Sequence, residues 1–408
     1  MKRIISLGFL GLLAASSASA QGLYLYNLGT DSQESIPLKW VVGASVIYDD
    51  NVAPGSGHKD STLGINPTVG LSFLSITPQT TWDVYVRLGL VYYVDAPSIA
   101  GVSDVNPATR MGVNLTHRFS ERLRFSSQNF ISYELEPDYS YGYSSARQIG
   151  ACLFWQTDNS IGFRWTERLA TYTGVKISGT SYDSDVHNND RFTWELYNQF
   201  RYQLSPQTVL TLDYRYDQTT GNDQFTDTSD NFILAGIEHR FSPNTIAILR
   251  AGAQFHSVDG GENNTSPYVE LALSSQVNQQ FSVRTYARYG IETYNNIQFL
   301  PSYGLIEYSD QQVLRFGVSA SYAISPMFSV FGGIDYIPTS YAGGHTTPGG
   351  LPVPDQSADV LNAYIGLSMK FNDYLTGTLS YNYTNASSDF AGGTYDRNRI
   401  SIGVTAEF

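Results

Sequence analysis

Of the 19 arginines in this 408-residue chain, sixteen share one pattern. Each stands on the polar phase of a segment in which apolar and polar residues alternate: Arg87, Arg110, Arg118, Arg124, Arg164, Arg168, Arg191, Arg201, Arg215, Arg240, Arg250, Arg284, Arg288, Arg315, Arg397 and Arg399. A guanidinium is always charged and presents a planar fork of N–H donors that matches a carboxylate or a phosphate, so arginines repeated along one face are the chemistry of anion recognition. The same phase carries about half as many acids, among them Asp83, Glu134, Glu195, Asp213, Glu238, Glu270, Glu292 and Glu407. Each arginine therefore has two roles open to it. It pairs with a neighbouring acid, or stacks on a tyrosine of the same face, and stiffens the wall; or it stays free and draws anions. The surplus of arginine over acid makes it hard for pairing to consume them all.

The elements that carry this face are long strands. In "FTWELYNQFRYQL" the residues Phe192, Trp194, Leu196, Phe200, Tyr202 and Leu204 share one side, and Thr193, Glu195, Tyr197, Gln199, Arg201 and Gln203 the other. "TWDVYVRLGLVYYVD" repeats the pattern from Trp82. Period 2 sustained over about thirteen residues exceeds an ordinary soluble strand and is long enough to cross a bilayer at a tilt. Composition agrees: 30 Tyr and 21 Phe bring aromatics to 14 %, a content that suits strands.

Connections alternate in length. Short turns are read at 75–80, 119–123, 156–160, 204–208, 241–245, 276–280, 324–328 and 370–375, where Pro, Asp, Asn and Ser supply turn geometry. Longer Gly-, Asp- and Tyr-rich segments separate them. Eight short turns and nine long loops predict an all-β fold: a transmembrane antiparallel outer-membrane β-barrel of about 18 strands, with short periplasmic turns and long extracellular loops. Closure leaves no strand edge in lipid. Eighteen strands enclose a backbone diameter of roughly 35 Å, too wide for side chains to fill. The longest loops, 338–359 and 295–310, are the candidates to fold in and narrow it.

The amino-terminus has Lys2 and Arg3, an apolar run from Ile4 to Ala15, and Ala18-Ser19-Ala20. That is a Sec signal peptide over 1–20, cleaved before Gln21. Residues 21–38 then form a short periplasmic arm, and 39–408 a single barrel domain. The protein is thus expected in the outer membrane of a Gram-negative cell. One cysteine, Cys152, excludes an intramolecular disulfide. A net charge of −13 argues against a nucleic-acid partner. Because the arginines sit on strands, the excess acid is assigned to the loops, with Asp217, Asp223, Asp227 and Asp230 in one of them. The expected picture is a basic lumen beneath an acidic mouth.

Three polar residues, Asn129, Glu167 and Asn198, interrupt the lipid face. Either they meet a second protomer in a homo-oligomer, or a β-bulge shifts the register by one residue. Pro67 on the lipid phase of the second strand raises the same question. "YDSDVHNND" (182–190) clusters oxygen ligands but lacks the glycine and closing glutamate of an EF-hand loop, so no metal and no cofactor are expected. No nucleophile–histidine–acid arrangement points to an enzyme.

"VVGASVIYDDNVAPGSGHKDSTLGINPTVGLSF" (41–73) resembles the opening of the β-barrel porin 2 family of Gram-negative outer-membrane proteins. There a first strand ends in a Tyr-Asp-Asp-Asn-like turn and leads to a second built around "NPTVGLSF". The terminal Phe408, with apolar residues at alternating positions before it, is similar to the signal read by barrel-assembly machinery. The resemblance implies a pore-former among lipid and lipopolysaccharide, with some relatives linked to exopolysaccharide export; it transfers no catalytic residue. The expected function is a porin-like channel for small hydrophilic solutes, anion-biased by the lumen arginines. An exopolysaccharide-export barrel and a non-conducting surface adhesin or structural barrel remain the alternatives.

Overall fold

The computed structural model describes residues 36–408 apart from 53, 55–58, 97–101, 136–149, 184–189, 222–225, 262, 293–296, 301, 347–349 and 391–392. The leader over 1–20 and all but the end of the arm lie outside the described residues.

Alternation is converted into strands almost wherever it occurs. In order they are β1 (Ile36–Asp49), β2 (Thr62–Ile76), β3 (Thr80–Tyr93), β4 (Val105–Arg118), β5 (Leu123–Glu134), β6 (Cys152–Arg164), β7 (Leu169–Tyr182), β8 (Arg191–Ser205), β9 (Thr208–Gly221) and β10 (Thr228–Ser242). They continue as β11 (Thr245–Val258), β12 (Asn263–Gln276), β13 (Phe281–Ile291), β14 (Ile297–Leu300), β15 (Gly304–Ala323), β16 (Phe328–Thr346), β17 (Pro352–Val353), β18 (Gln356–Lys370), β19 (Leu375–Ser388) and β20 (Tyr395–Glu407). β14 pairs only with β15, and β17 only with β16. The other eighteen form one ring in which each strand is antiparallel to the next, and β20 returns to pair with β1 from Val41↔Glu407 to Asp49↔Arg399.

The ring closes on the chain's two ends. Backbone bonds join Trp40 N–H to Phe408 O at 2.8 Å and Phe408 N–H to Trp40 O at 3.0 Å. At the other end of this seam the Tyr48-Asp49-Asp50-Asn51 turn grips β20 three times. Asp49 accepts from Arg397 Nε at 2.8 Å, Asp50 accepts from the Asn398 backbone N–H at 2.6 Å, and Asn51 Nδ2 donates to the Asp396 carbonyl at 2.9 Å. The motif that carries the family resemblance is thus the clasp of the barrel.

The two faces separate as alternation requires. Ile402, Phe200 and Leu212 are more than half exposed on the outside, where a protein in water would not place them in a continuous belt. On the inside, Tyr85 lies over Gly112 and Tyr286 over Gly317, so closely that a Cβ at either glycine would collide with the ring. A glycine roofed by its neighbour's aromatic ring keeps the wall tight while letting the sheet curve.

Two boundaries differ from the sequence reading. Residues 156–160 lie inside β6, and the short turn falls instead at 165–168. "QTDNS" looks like a turn because all five residues are polar, but Gln156, Asp158 and Ser160 face inward and are buried. Strands also run further than expected at the long-loop end. β15 has 20 residues and β16 has 19, so much of 304–346 is paired strand rather than loop. There Leu300, Ile306, Tyr308, Tyr341, Val353, Ala358 and Phe390 form a small apolar core.

Candidate functional site

The inward phase contains thirteen of the fourteen arginines singled out as lumen residues; Arg168 sits in the turn after β6. Their surroundings divide in two.

From β8 round to β20, six of the ten arginines are held by acids. Arg201 Nη2 donates to Glu238 at 2.6 Å, and Arg215 bonds Glu270 through both Nη atoms at 2.9 and 3.2 Å. Arg250 lies 3.2 Å from Asp213 and 3.3 Å from Glu270. Arg315 and Arg288 share Glu292, Arg315 at 2.7 Å. Arg397 is paired with Asp49 across the seam. Arg250, Arg315 and Arg397 are each about 1 % exposed, so no solute in the lumen touches them. Arg191 is buried as well; Arg284 and Arg399 have polar neighbours, Arg399 reaching Asn382 at 3.5 Å. On β4, Arg110 is joined in the same way to Glu134 at 2.8 Å.

The acids are more numerous inside than the loop assignment allowed. Asp217 stands on β9 and Asp230 on β10, directly opposite each other and facing inward, with Glu195 opposite Asp217. Asp230 accepts from Gln254 at 2.8 Å and lies 3.0 Å from His256 Nδ1. The picture of a basic lumen under a wholly acidic mouth is therefore corrected. Strands extend into the long-loop segments, and acids that read as loop belong to the wall at that end.

The wall of β3–β7, and above all its short-turn end, is different. Arg87, Arg118 and Arg164 are exposed on the inward phase, and Arg122 and Arg168 are exposed in turns. Among the described residues no carboxylate lies within ion-pair reach of any of these five. Arg118 sits directly opposite Arg124, Arg87 opposite Arg110 and, on the acid-held side, Arg288 opposite Arg315, like-charge placements that cost stability in a sheet. A cavity of about 330 Å³ opens here, lined by Arg118, Arg122, Arg124 and Arg164 with Glu121 and Tyr172. Arg122, Glu121 and Tyr172 went unnoticed in the sequence. The signal that could have found them is a repeat, "RFSERL" at 118–123 and "RWTERL" at 164–169.

The remaining candidates resolve as follows. Glu167 lies in the 165–168 turn, exposed, and not in mid-strand. Asn129 and Asn198 do face outward, because β5 to β8 pair without a register shift. Asn129 is satisfied within its own wall: its Oδ1 accepts from Thr157 at 2.8 Å and its Nδ2 donates to Ser127 at 3.0 Å. Pro67 also faces outward, in register with Ala44. Cys152 is buried on the inward phase. Within 182–190, residues 184–189 lie outside the described residues. No group of three or more His, Cys, Asp or Glu among the described residues is placed to hold a metal ion. Phe408 sits exposed at the short-turn rim.

No known family model matches the chain, and no curated protein does either, so the family-level resemblance of 41–73 has no matching model behind it. Solved structures do resemble the fold. OccAB4 of Acinetobacter baumannii is 11 % identical, with 92 % of this chain and 99 % of that chain covered and a TM-score of 0.44. OccK9 (OpdG) of Pseudomonas aeruginosa gives 11 %, 91 %, 98 % and 0.47. OccK2 (OpdF) of the same organism, solved in complex with glucuronate, gives 11 %, 91 %, 96 % and 0.44. The barrel described above stands on its own strand pairing.

Proposed function

We propose that this chain is an outer-membrane, porin-like channel that passes small hydrophilic solutes passively and favours anions. The observation that carries the reading is the set of exposed arginines Arg87, Arg118 and Arg164 on the inner face of a closed wall, none of which makes an ion pair among the described residues. A lumen charge that no acid neutralises keeps its field in the water it faces, whereas a paired guanidinium is largely cancelled. The apolar belt supports a location in lipid, and the closed ring supports an even-stranded bacterial barrel whose short turns face the periplasm. Residues 1–20 would direct Sec export and 21–38 the periplasmic approach, with Phe408 at the rim where assembly machinery could read it. No reaction is assigned to the lumen.

Of the fourteen arginines named from the sequence, selectivity is assigned to Arg87, Arg118, Arg164 and Arg168. Arg110, Arg201, Arg215, Arg250, Arg288, Arg315 and Arg397 are assigned to holding the wall. Purified protein in planar bilayers, with uptake of uncharged sugars into proteoliposomes, tests the channel. Discrete conductance steps and sugar entry are expected. A silent membrane with no uptake would favour a structural barrel instead.

A further inference from the structure

Six polar side chains face outward in one patch on β5–β8. Ser127 stands directly opposite Asn159, and Asn129 opposite Thr157. Thr173, opposite Ile161, lies diagonally beside Asn159 and faces Asn198 on the next strand. Each of the six is half-buried or exposed. Each also stands four to seven residues above the short-turn end of its strand. A tilted strand climbs about 2.5 Å per residue, so the patch lies near the middle of an apolar band about 25 Å tall. At that height other walls are apolar: Val86 on β3, Leu212 on β9, Ile334 on β16 and Ile402 on β20.

The wall satisfies only part of this patch. Asn129 is fully engaged: its Oδ1 accepts from Thr157, and its Nδ2 donates to Ser127 and to the Val113 carbonyl. Asn159 Nδ2 donates once, to Thr157 at 2.8 Å, and Asn198 Nδ2 once, to Thr173. A carboxamide carries two N–H donors and one accepting oxygen. One N–H of each, and both oxygens, are therefore left without a partner among the described residues. Acyl chains supply none, because the hydrocarbon core holds neither donors nor acceptors. Whatever covers the patch must bring polar groups to the same depth. Its shape suits a second protein wall. Trp155 and Phe192 pack at 6.1 Å on the long-loop side, and Phe163 and Trp165 at 4.6 Å on the short-turn side. Between these rims, serine and threonine are the small side chains that let two membrane-embedded surfaces approach closely.

We infer that the outer wall of β5–β8 docks a second copy of this chain, giving a dimer with its two-fold axis along the membrane normal. Both copies insert with their short turns on the same side, and such an axis preserves depth, so each patch meets its own like. Carboxamides donate and accept, which makes the patch complementary to itself. Width fits as well. With eighteen strands in the ring, neighbours are about 20° apart, and two barrels side by side touch over about four strands. The dimer needs the location in lipid but no conduction, so silent bilayers would leave it standing.

Disulfide trapping in native outer-membrane vesicles tests the interface. Cys152 is buried on the inward phase, so Cys152→Ser gives a background with an unchanged outer face. Into it go, separately, Asn159→Cys within the patch and Ile334→Cys, at the same height about half a ring away. Oxidation with copper phenanthroline should link the Asn159→Cys chains into a band of twice the chain mass and leave the Ile334→Cys chains single. Adding Asn129→Leu and Asn198→Leu should cut that band about fivefold, the order expected for polar contacts between membrane-embedded surfaces. Should the leucine pair fail to fold, Asn198→Leu alone asks the same question. No band, or an equal band from Ile334→Cys, overturns the dimer. A linked band of any other mass also overturns it and gives the face to a different partner. So does a band that the leucines leave unchanged.

Discussion

The same residue type does two different jobs on two sides of this barrel. On β8–β20, arginine is a structural part: Arg250 and Arg315 are buried, each within 3.3 Å of a carboxylate on a neighbouring strand or loop. At the turn ends of β4 and β6, Arg118 and Arg164 are exposed, Arg118 facing Arg124 and Arg164 facing Ala170. The difference lies in whether a carboxylate is within reach: Arg315 too sits directly opposite an arginine, Arg288, and Glu292 holds both. Where register brings Glu270 against Arg250, Coulomb attraction in a drier environment holds both ions in place. Arg118, exposed opposite Arg124, makes no ion pair among the described residues. Charge available to a passing solute is thus set by which arginines a carboxylate reaches and not by the number of arginines in the wall.

Breaking the paired side should have the largest effect. Asp49→Ala strands the buried Arg397 guanidinium at the closing seam, and removing one partner of such a pair costs about 3–5 kcal/mol. A marked fall in the urea midpoint of the folded band on unheated gels is expected, with selectivity of the surviving channels unchanged. Glu270→Gln should follow, because it weakens the hold on Arg215 and Arg250 together, at a cost of about 2–4 kcal/mol by the same gel measurement. Arg118→Gln with Arg164→Gln should do the reverse. Stability should stay within about 0.5 kcal/mol, while the anion preference falls. A smaller effect comes from salt. The anion preference should shrink as the gradient is moved from about 0.1 M to about 1 M, where the screening length falls from about 10 Å to about 3 Å. Smallest of all is Lys59→Ala. Lys59 bonds Asp396 beside the seam, a contact that holds its ammonium above the usual lysine range, but the pair is half exposed. Its loss should leave the unfolding midpoint where it was.

The contrast also explains how far the sequence could be read. Strand number, closure and the lipid-facing stripes follow from period-2 alternation, which is local, and Phe192 to Leu204 displays it without help from any other segment. The pairing of Arg397 with Asp49 spans 348 positions and depends on which strands meet. It was hidden for that reason, as was the inward placement of Asp217 and Asp230. "QTDNS" misled because Thr157 and Asn159 are polar on the lipid side, and that is affordable only through the bond from Asn159 Nδ2 to Thr157 at 2.8 Å and from Thr157 to Asn129. Misplacing that turn carried Glu167 into mid-strand. The arginine-bearing turns carry a local signal that went unread, the six-residue repeat at 118–123 and 164–169, and their contact through Arg122 and Arg164 required the structure.

The most direct measurement is the reversal potential of single channels in a potassium chloride gradient, for the natural chain and for a chain carrying Arg87→Gln, Arg118→Gln and Arg164→Gln. The account predicts reversal toward the chloride potential in the first and a shift toward zero or beyond in the second, at unchanged folded-band stability. Reversal toward the potassium potential in the natural chain, or a chloride preference that the three substitutions leave untouched, would contradict it.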